Sequence, residues 1–423
     1  MSIKKNTAWN FVGAAAPMLL GIVTIPYLMR QLGIEAFGIL TLVWALIGYF
    51  SVFDFGIGRA LTQQVSSLRS TASAHKLPKV IQSGLALVAA FGLLGGALLA
   101  ALSQPLGHSW LNVDASLRQT TTNCLLIAGL GIPLTTLVTG LRGVLEGFED
   151  FRTANILKII LGCATFGLPA ASIMVFGASL EVVVASLVIA RLAILLAHAL
   201  AVGRHVDAWR SAGLFDANEA KPLLSFGVWM TVSNIISPLM VTADRFVISY
   251  LLGAAAVAFY TVPFDFILRL LVVPAALTST LFPRFASLYV SDRPAFTRAY
   301  RKGLLAVFGL MLLMCGPLAV GSQWGLTLWL GADFAAKAWP IASVMALGLL
   351  FNGLAQIPHA ALQASGGVRA TALLHAAEFV LYVPVLYLSL LSFGLVGAAG
   401  AWTARVFVDL VALLILAKKK SHG

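Results

Sequence analysis

The sequence has few charged residues, and this scarcity excludes an ordinary soluble protein. Only 10% of its 423 residues are Asp, Glu, Lys or Arg, whereas 60% are hydrophobic, and the mean hydropathy is +0.94. A soluble domain cannot hide so much apolar surface in one core. We therefore predict an all-α polytopic membrane protein, because helices satisfy their own backbone hydrogen bonds within the bilayer.

Acidic residues and cysteines are especially scarce. The 28 Lys and Arg residues exceed the 16 Asp and Glu residues, which gives a net charge of +12. The basic residues are dispersed between apolar runs and are not clustered on one face, so nucleic acid is not an expected partner. All three cysteines lie inside apolar runs, where they indicate neither a disulfide framework nor a metal site: Cys124, Cys163 and Cys315. We expect no metal and no cofactor.

Long apolar runs recur along the whole chain. A hydrocarbon core of about 30 Å needs about 20 helical residues, and this length predicts about twelve spans. The first run is too long for a cleaved signal peptide and is expected to remain as a span. The predicted spans are 9–29, 37–58, 80–103, 119–141, 153–176, 182–203, 223–243, 257–282, 303–322, 338–363, 370–391 and 394–417.

The connections between these spans differ in charge. Lys and Arg concentrate on alternate connections, and the opposite side has only Arg30, Arg118, Arg245 and Lys337. Short loops rich in Lys and Arg stay cytoplasmic, so both termini are expected to be cytoplasmic. The longest outside connections, about 104–118 and 323–337, are too short for a catalytic domain. We therefore expect a function of the bundle itself, and not an enzyme.

A polar segment divides the spans into two sets of six. Residues 204–222 form a predicted cytoplasmic linker between an N-terminal lobe, 1–203, and a C-terminal lobe, 223–423. The segments 27–40 and 246–262 also resemble each other, since each has Leu-Gly, then small residues, then an aromatic residue. This pattern is typical of a duplicated transporter whose substrate path lies between two bundles.

Several ionisable residues lie deep inside predicted spans, where each costs roughly 2.5–3.5 kcal/mol to insert. Two pairs have the i,i+4 spacing at which side chains meet on a helix: Asp265 with Arg269, and Arg405 with Asp409. Such pairs are either structural ion pairs or the lining of a polar path. The full set is Arg191, Asp265, Arg269, Glu378, Arg405 and Asp409, with His198, His359 and His375 as weaker members.

The remaining candidates have no such partner. Arg191 keeps its charge in proteins, so it requires a carboxylate on another helix, a water-filled cavity or an anionic substrate. Glu378 has only His375 nearby, at i−3, which suits either a neutral hydrogen-bonded carboxyl or a proton-coupling role. Asp54 is predicted about one turn before the end of the second span, followed by Arg59. It is either a wetted helix end, a cytoplasmic gate or a contact to a substrate headgroup.

Four segments together resemble the O-antigen and polysaccharide flippases of the multidrug, oligosaccharidyl-lipid and polysaccharide exporter superfamily. The resemblance runs from Lys5 to about Arg405, and the order and spacing of the segments make it specific. They are "VFDFGIGRALTQQVS" (52–66), "GLRGVLEGFEDFRTANILKI" (140–159), "SFGVWMTVSNIISPLMVTADRFVISYLLG" (225–253) and "AFYTVPFDFILRL…TSTLFPRFASL" (258–288).

The resemblance implies two six-helix lobes around a central cavity that opens alternately to each side of the bacterial inner membrane. It implies transport of an undecaprenyl-diphosphate-linked oligosaccharide from the cytoplasmic to the periplasmic leaflet, driven by an H⁺ or Na⁺ gradient. Membrane lipids and the polymerase and chain-length regulator of the same pathway are the implied partners. Arginine suits phosphate oxygens, so the substrate-binding candidates are Arg191, Arg269, Arg405, Arg59 and Arg245. The coupling-ion candidates are Asp265, Glu378 and Asp409, and Asp54 is the gate candidate.

Two other functions stay open from sequence, besides a purely structural scaffold, which would not explain the buried charges. A drug or cation antiporter of the same superfamily would favour an acidic cavity, whereas the deep charges here are balanced between Arg and acids. A membrane glycan polymerase or glycosyltransferase usually has a large periplasmic loop, and no predicted connection here is long enough.

Overall fold

The computed structural model describes residues 3–50, 54–69, 75–206 and 215–422. Within these ranges, side chains are described except at 3–15, 49–50, 225–241, 279, 283, 368–369, 372 and 420–422. The chain forms two compact units. Unit 1 contains Met1–Phe246 and Gly253–Ala255, and unit 2 contains Val247–Leu252 and Ala256–Gly423. The division of the chain at the 204–222 linker stays a prediction, and residues 207–214 lie outside the described part.

The described residues are almost entirely helical, so the all-α class is confirmed. The helices are α1 (Ile3–Leu32), α2 (Ile34–Phe50), α3 (Ile57–Leu68), α4 (Leu77–Pro105), α5 (Arg118–Gly147), α6 (Phe151–Phe176), α7 (Leu180–Gly203), α8 (Ala217–Leu252), α9 (Ala254–Leu268), α10 (Val272–Ser291), α11 (Arg293–Leu330), α12 (Ala332–Ala364) and α13 (Val368–His422). A π-helical turn, Leu106–Trp110, and two 3₁₀ turns, Ala115–Leu117 and Arg269–Leu271, lie between them.

Eight stretches within the described residues are long and apolar enough to cross a membrane, and α1 and α2 contribute two shorter apolar segments. One of the eight, Leu373–Lys419, covers two predicted spans. Gly394, with φ of 58°, interrupts the helical backbone between them inside α13. Each predicted span thus has a helical counterpart, although the count of twelve crossings stays a prediction.

The predicted second span, 37–58, is wrong at its end. Helix α2 ends at Phe50 and a separate helix, α3, begins at Ile57 in what the sequence indicated as a polar connection. Between them, the Asp54 carboxylate accepts a hydrogen bond from the Gly56 N–H at 2.9 Å. Phe55 and Gly56 have φ of 48° and 71°, a left-handed conformation that breaks a helix. The break escaped prediction because its residues are largely apolar.

The resemblance between 27–40 and 246–262 has a structural counterpart. Gly33 separates α1 from α2 with φ of 83°, and Gly253 separates α8 from α9 with φ of 86°. Glycine reaches this left-handed region at little cost and commonly ends helices there. The shared Leu-Gly therefore marks the same helix–glycine–helix junction in both segments.

Glycines on α5 allow α3 to pack closely in unit 1. A Cβ on Gly143 would lie 2.1 Å from the Gly58 carbonyl oxygen, and one on Gly147 would lie 2.8 Å from the Val65 side chain. The buried face of α3 joins an apolar cluster with residues of α4, α5 and α7. Backbone contact at Gly143 thus fixes α3 on the bundle.

We expect Gly143→Ala to destabilise unit 1. The new methyl group would overlap backbone and not a flexible side chain, and overpacking of this kind costs about 1–3 kcal/mol. Thermal unfolding of purified protein in detergent should show a lower midpoint than wild type. Gly309→Ala is the matched control, because a Cβ there meets nothing within 4 Å. Equal midpoints for the two variants would contradict the packing described here.

Unit 2 is packed around aromatic side chains. Phe264 of α9 meets Trp402 of α13 edge to face, with ring centroids 5.1 Å apart. A Cβ on Gly348 of α12 would lie 2.4 Å from the Trp402 ring, so this glycine makes room for the indole. Large apolar side chains such as Val320, Leu313 and Leu381 are instead exposed, as expected for surfaces that face lipid.

Candidate functional site

A cluster of titratable side chains lies within unit 2, on the two parts of α13. The ligand atoms of His375, Glu378 and Asp409 all lie within 4.8 Å of one another. His375 Nε2 is 3.5 Å from an Asp409 carboxylate oxygen, and the His359 ring of α12 stacks on His375 with centroids 5.6 Å apart. The bend at Gly394 brings the two parts of α13 together. We call His375, Glu378 and Asp409 the α13 cluster.

Glu378 is the most enclosed member of the α13 cluster. Its side chain is 7% exposed, and its Oε1 atom has no hydrogen-bond partner among the described residues. A buried polar atom without a partner is costly and usually has a functional explanation. One imidazole and two carboxylates can exchange a proton or bind a cation.

Of the two alternatives that the spacing of Arg405 and Asp409 left open, an ion pair between them is not found in the described part of the chain. Asp409 instead pairs with His375, and the Arg405 guanidinium lies over the Tyr382 ring, 5.3 Å from its centroid. Arg405 remains close enough to Glu378 and His375 to act on both electrostatically. Arg405 and Asp409 have the i,i+4 spacing but do not pair, because the bend at Gly394 brings His375 close to Asp409.

Two of the three predicted coupling residues, Glu378 and Asp409, therefore lie in one cluster. Asp265 lies on α9 and is not a member of it. Arg269 begins the 3₁₀ turn that follows α9, and the side chains of Asp265 and Arg269 are both half-buried. Their roles stay predictions.

Arg191 is buried in α7 of unit 1, with 8% of its surface exposed. Its Nη1 donates a hydrogen bond to the Leu187 carbonyl at 2.8 Å, which uses one of the five guanidinium N–H groups. No carboxylate of the described residues forms an ion pair with it. The sequence left three surroundings open for Arg191: a carboxylate on another helix, a water-filled cavity or an anionic substrate. The first of these is not found among the described residues.

Arg59 and Asp54 lie around the start of α3. Arg59 is exposed and lines an open cavity of about 460 Å³. The sequence predicted Asp54 inside the second span. Asp54 lies instead in the turn between α2 and α3. Burial raises the pKa of its carboxyl group, while the Gly56 N–H and the Arg59 charge oppose this shift. Its role as a gate stays a prediction.

Arg245 lies in a helix and not in the exposed connection that the sequence indicated. Helix α8 continues to Leu252, and Arg245 is 6% exposed within it. The preceding residue, Asp244, is fully buried and accepts a hydrogen bond from the Arg245 N–H at 2.8 Å. Asp244 was not predicted as a buried charge, because the predicted span ends at residue 243. A span extended through "TADRF" (242–246) includes Asp244.

A second group of polar contacts lies at the ends of α3, α5, α6 and α7. Arg69 pairs with Glu149, and His205 Nε2 is 3.2 Å from Asp150 Oδ2 while its ring stacks on Phe148. Asp150 also caps α6 by accepting the Thr153 N–H at 3.1 Å. Burial alone would raise the pKa of Asp150, but the bonds from Thr153 and the contact with His205 outweigh it and hold the pKa below its usual range.

We expect Asp150→Ala to lower stability by about 1 kcal/mol, the usual value of an N-cap. Because the folded-state pKa is depressed, the carboxylate contributes fully above the unfolded-state pKa of about 3.9 and loses its effect only below it. The lower unfolding midpoint of the variant should therefore be seen at pH 5.5 as well as at pH 7.5. A difference already lost at pH 5.5 would contradict this assignment.

The fold is that of a helical membrane protein. Two solved structures share it along nearly the whole chain. One is an inward-facing multidrug resistance transporter of the MATE family, with a TM-score of 0.76, 13% identity and coverage of 97% of this chain and 98% of that one. The other is the lipid II flippase MurJ in an inward closed conformation, with a TM-score of 0.75, 13% identity and coverage of 98% and 88%.

The chain belongs to the polysaccharide biosynthesis protein family, whose sequence model matches residues 3–289. It is also 36% identical over 417 residues to a Shigella flexneri protein named "Putative O-antigen transporter", with coverage of 98% of this chain and 97% of that protein. The resemblance found from sequence is thus confirmed, as is the expectation of a transporter and not an enzyme.

Proposed function

We propose that the protein moves an undecaprenyl-diphosphate-linked O-antigen repeat from the cytoplasmic to the periplasmic leaflet of the bacterial inner membrane. The identity of 36% with the Shigella flexneri relative along nearly the whole chain carries this proposal. The fold shared with a lipid II flippase supports it, because that protein also handles a lipid-linked substrate. Both termini are proposed to be cytoplasmic, since Lys and Arg concentrate on that side.

A diphosphate group that crosses the membrane requires cationic compensation. Arg191 is buried in α7 and has no ion-pair partner within the described residues, which leaves donors for phosphate oxygens. We propose that Arg191 meets the diphosphate during alternating access. Arg269, Arg405, Arg59 and Arg245 remain further substrate-binding candidates.

We propose H⁺ as the coupling ion, bound at the α13 cluster. Two carboxylates and an imidazole can share a proton. Na⁺ prefers oxygen ligands, whereas one of the three groups here offers nitrogen. Asp265 remains a coupling candidate outside this cluster.

A drug or cation antiporter is the second candidate, because the fold is shared equally well with a multidrug resistance transporter. Deletion of the gene in its host separates the two functions. We expect completed single repeats to accumulate on the cytoplasmic leaflet and surface polymer to be lost, as detected by leaflet-selective labelling. Unchanged glycan with reduced tolerance to organic cations would contradict the proposal and favour the antiporter.

A further inference from the structure

An open cavity lined by polar residues lies beside α3 in unit 1. Its volume is about 460 Å³. Five of its lining residues come from α3 and one comes from α5. They are Arg59, Thr62, Gln63, Ser66, Ser67 and Glu146.

The lining follows from the two faces of α3. Ile57, Leu61 and Val65, four residues apart, are fully buried against the bundle. Positions 59, 63 and 66–67 lie on another face, since residues three and four apart are neighbours on a helix, and they are exposed. The polar face of α3 is thus exposed and not packed into the apolar cluster of unit 1.

Helix α3 holds these side chains on a rigid support. The Thr62 hydroxyl donates to the Gly58 and Gly143 carbonyl oxygens at 3.1 and 2.9 Å, and its oxygen can still accept a hydrogen bond. Gly143 and Gly147 keep α3 against α5. A fixed polar group such as the Thr62 hydroxyl lowers the entropic cost of binding.

The charges of the cavity nearly cancel. The lining holds one cation, Arg59, and one anion, Glu146, and the Arg142 Nε lies 2.7 Å from Glu146 Oε1. A diphosphate favours several cations, whereas hydroxyl and amide groups both donate and accept hydrogen bonds. The lining therefore matches a ligand rich in neutral hydroxyl groups better than it matches a phosphate.

We propose that the polar face of α3, with Glu146, forms a saccharide-binding subsite that recognises the sugar part of the lipid-linked substrate. This inference rests on the proposed function. The sugar part of the substrate is assigned to α3, whereas the diphosphate is assigned to Arg191. Gln63 and Ser66 act as hydrogen-bonding groups to sugar hydroxyls, and Glu146 accepts from a further hydroxyl while Arg142 holds it in place.

Two adjacent glutamines allow a matched test. Gln63 lines the cavity and Gln64 does not, so Gln63→Ala and Gln64→Ala remove the same amide from the same helix. The probes are the complete lipid-linked repeat isolated from a host lacking the gene, and undecaprenyl diphosphate without sugar. Binding of each probe to purified protein in nanodiscs is measured by titration.

We expect Gln63→Ala to weaken binding of the complete repeat by about 3- to 10-fold, the effect of one lost hydrogen bond, without changing binding of the sugar-free lipid. Gln64→Ala should bind both probes like wild type, and Ser66→Ala should repeat the Gln63→Ala pattern. Thermal unfolding midpoints confirm that each variant is folded.

Three outcomes would overturn the subsite: Gln63→Ala that binds the repeat like wild type, equal weakening of both probes, or equal effects of the two glutamine variants. A wild-type protein that binds neither probe would instead overturn the proposed function itself. The two failures are therefore distinguishable in one experiment.

Discussion

Surface glycan is expected to fall about tenfold or more when Arg191 is replaced by alanine, while the amount of folded protein in the membrane stays near normal. The guanidinium is buried and bonds the backbone of its own helix, so the fold does not depend on an ion pair there. A hydrogen bond to a charged group contributes about 1.5–3 kcal/mol, which corresponds to a tenfold or larger loss of transport rate.

Three further variants sharpen this test. Arg191→Met keeps the volume but removes the charge, and it should behave like Arg191→Ala. Arg191→Lys keeps the charge but loses the planar fork, and it should retain part of the activity. Arg204→Ala is the control at the end of the same helix, where the side chain is exposed. Normal glycan display by Arg191→Met would refute the assigned role.

Asp409→Asn should abolish the response of transport to a pH gradient. Asparagine keeps the size of the side chain but cannot exchange a proton at neutral pH, and it loses the charge that faces His375. We expect transport under an imposed gradient to drop about tenfold or more, to the rate without a gradient. Glu378→Gln should act in the same way, because Glu378 shares the α13 cluster.

Proteoliposomes with imposed H⁺ or Na⁺ gradients provide the measurement. Asp333→Asn is the control, since Asp333 is exposed in the first turn of α12, and it should respond to the gradient like wild type. Wild-type transport driven by Na⁺ and not by H⁺ would contradict H⁺ coupling. A full H⁺ response in Asp409→Asn would remove the α13 cluster from the mechanism.

The helical architecture was largely predictable, because twenty-residue apolar runs have few alternatives in a bilayer. The failures occur where local backbone conformation overrides hydropathy. The break before α3 depends on the left-handed Phe55 and Gly56, in a segment that contains several apolar residues. Conversely, α8 passes through the charged pair Asp244 and Arg245, which the hydropathy pattern placed at a span end.

The sequence predicted which charged residues of the candidate site are buried, but it did not predict which of them contact each other. Rare deep charges correctly indicated Glu378, Asp409 and Arg191 as buried or half-buried groups. Which of them meet depends on the bend at Gly394, which brings Asp409 to His375. On the polar face of α3 the sequence indicated only Arg59 as a binding residue, because a Ser-, Thr- and Gln-rich segment between apolar runs is typical of a loop.

Transport of the complete lipid-linked repeat by purified protein in proteoliposomes tests the central claim most directly. The repeat is placed in one leaflet, and its arrival in the other is followed with a membrane-impermeant reagent that labels the sugar. We predict movement well above that of protein-free liposomes, stimulated by a pH gradient and lost in Arg191→Met. Movement no faster than in protein-free liposomes, with gradient-driven efflux of an organic cation instead, would contradict the account.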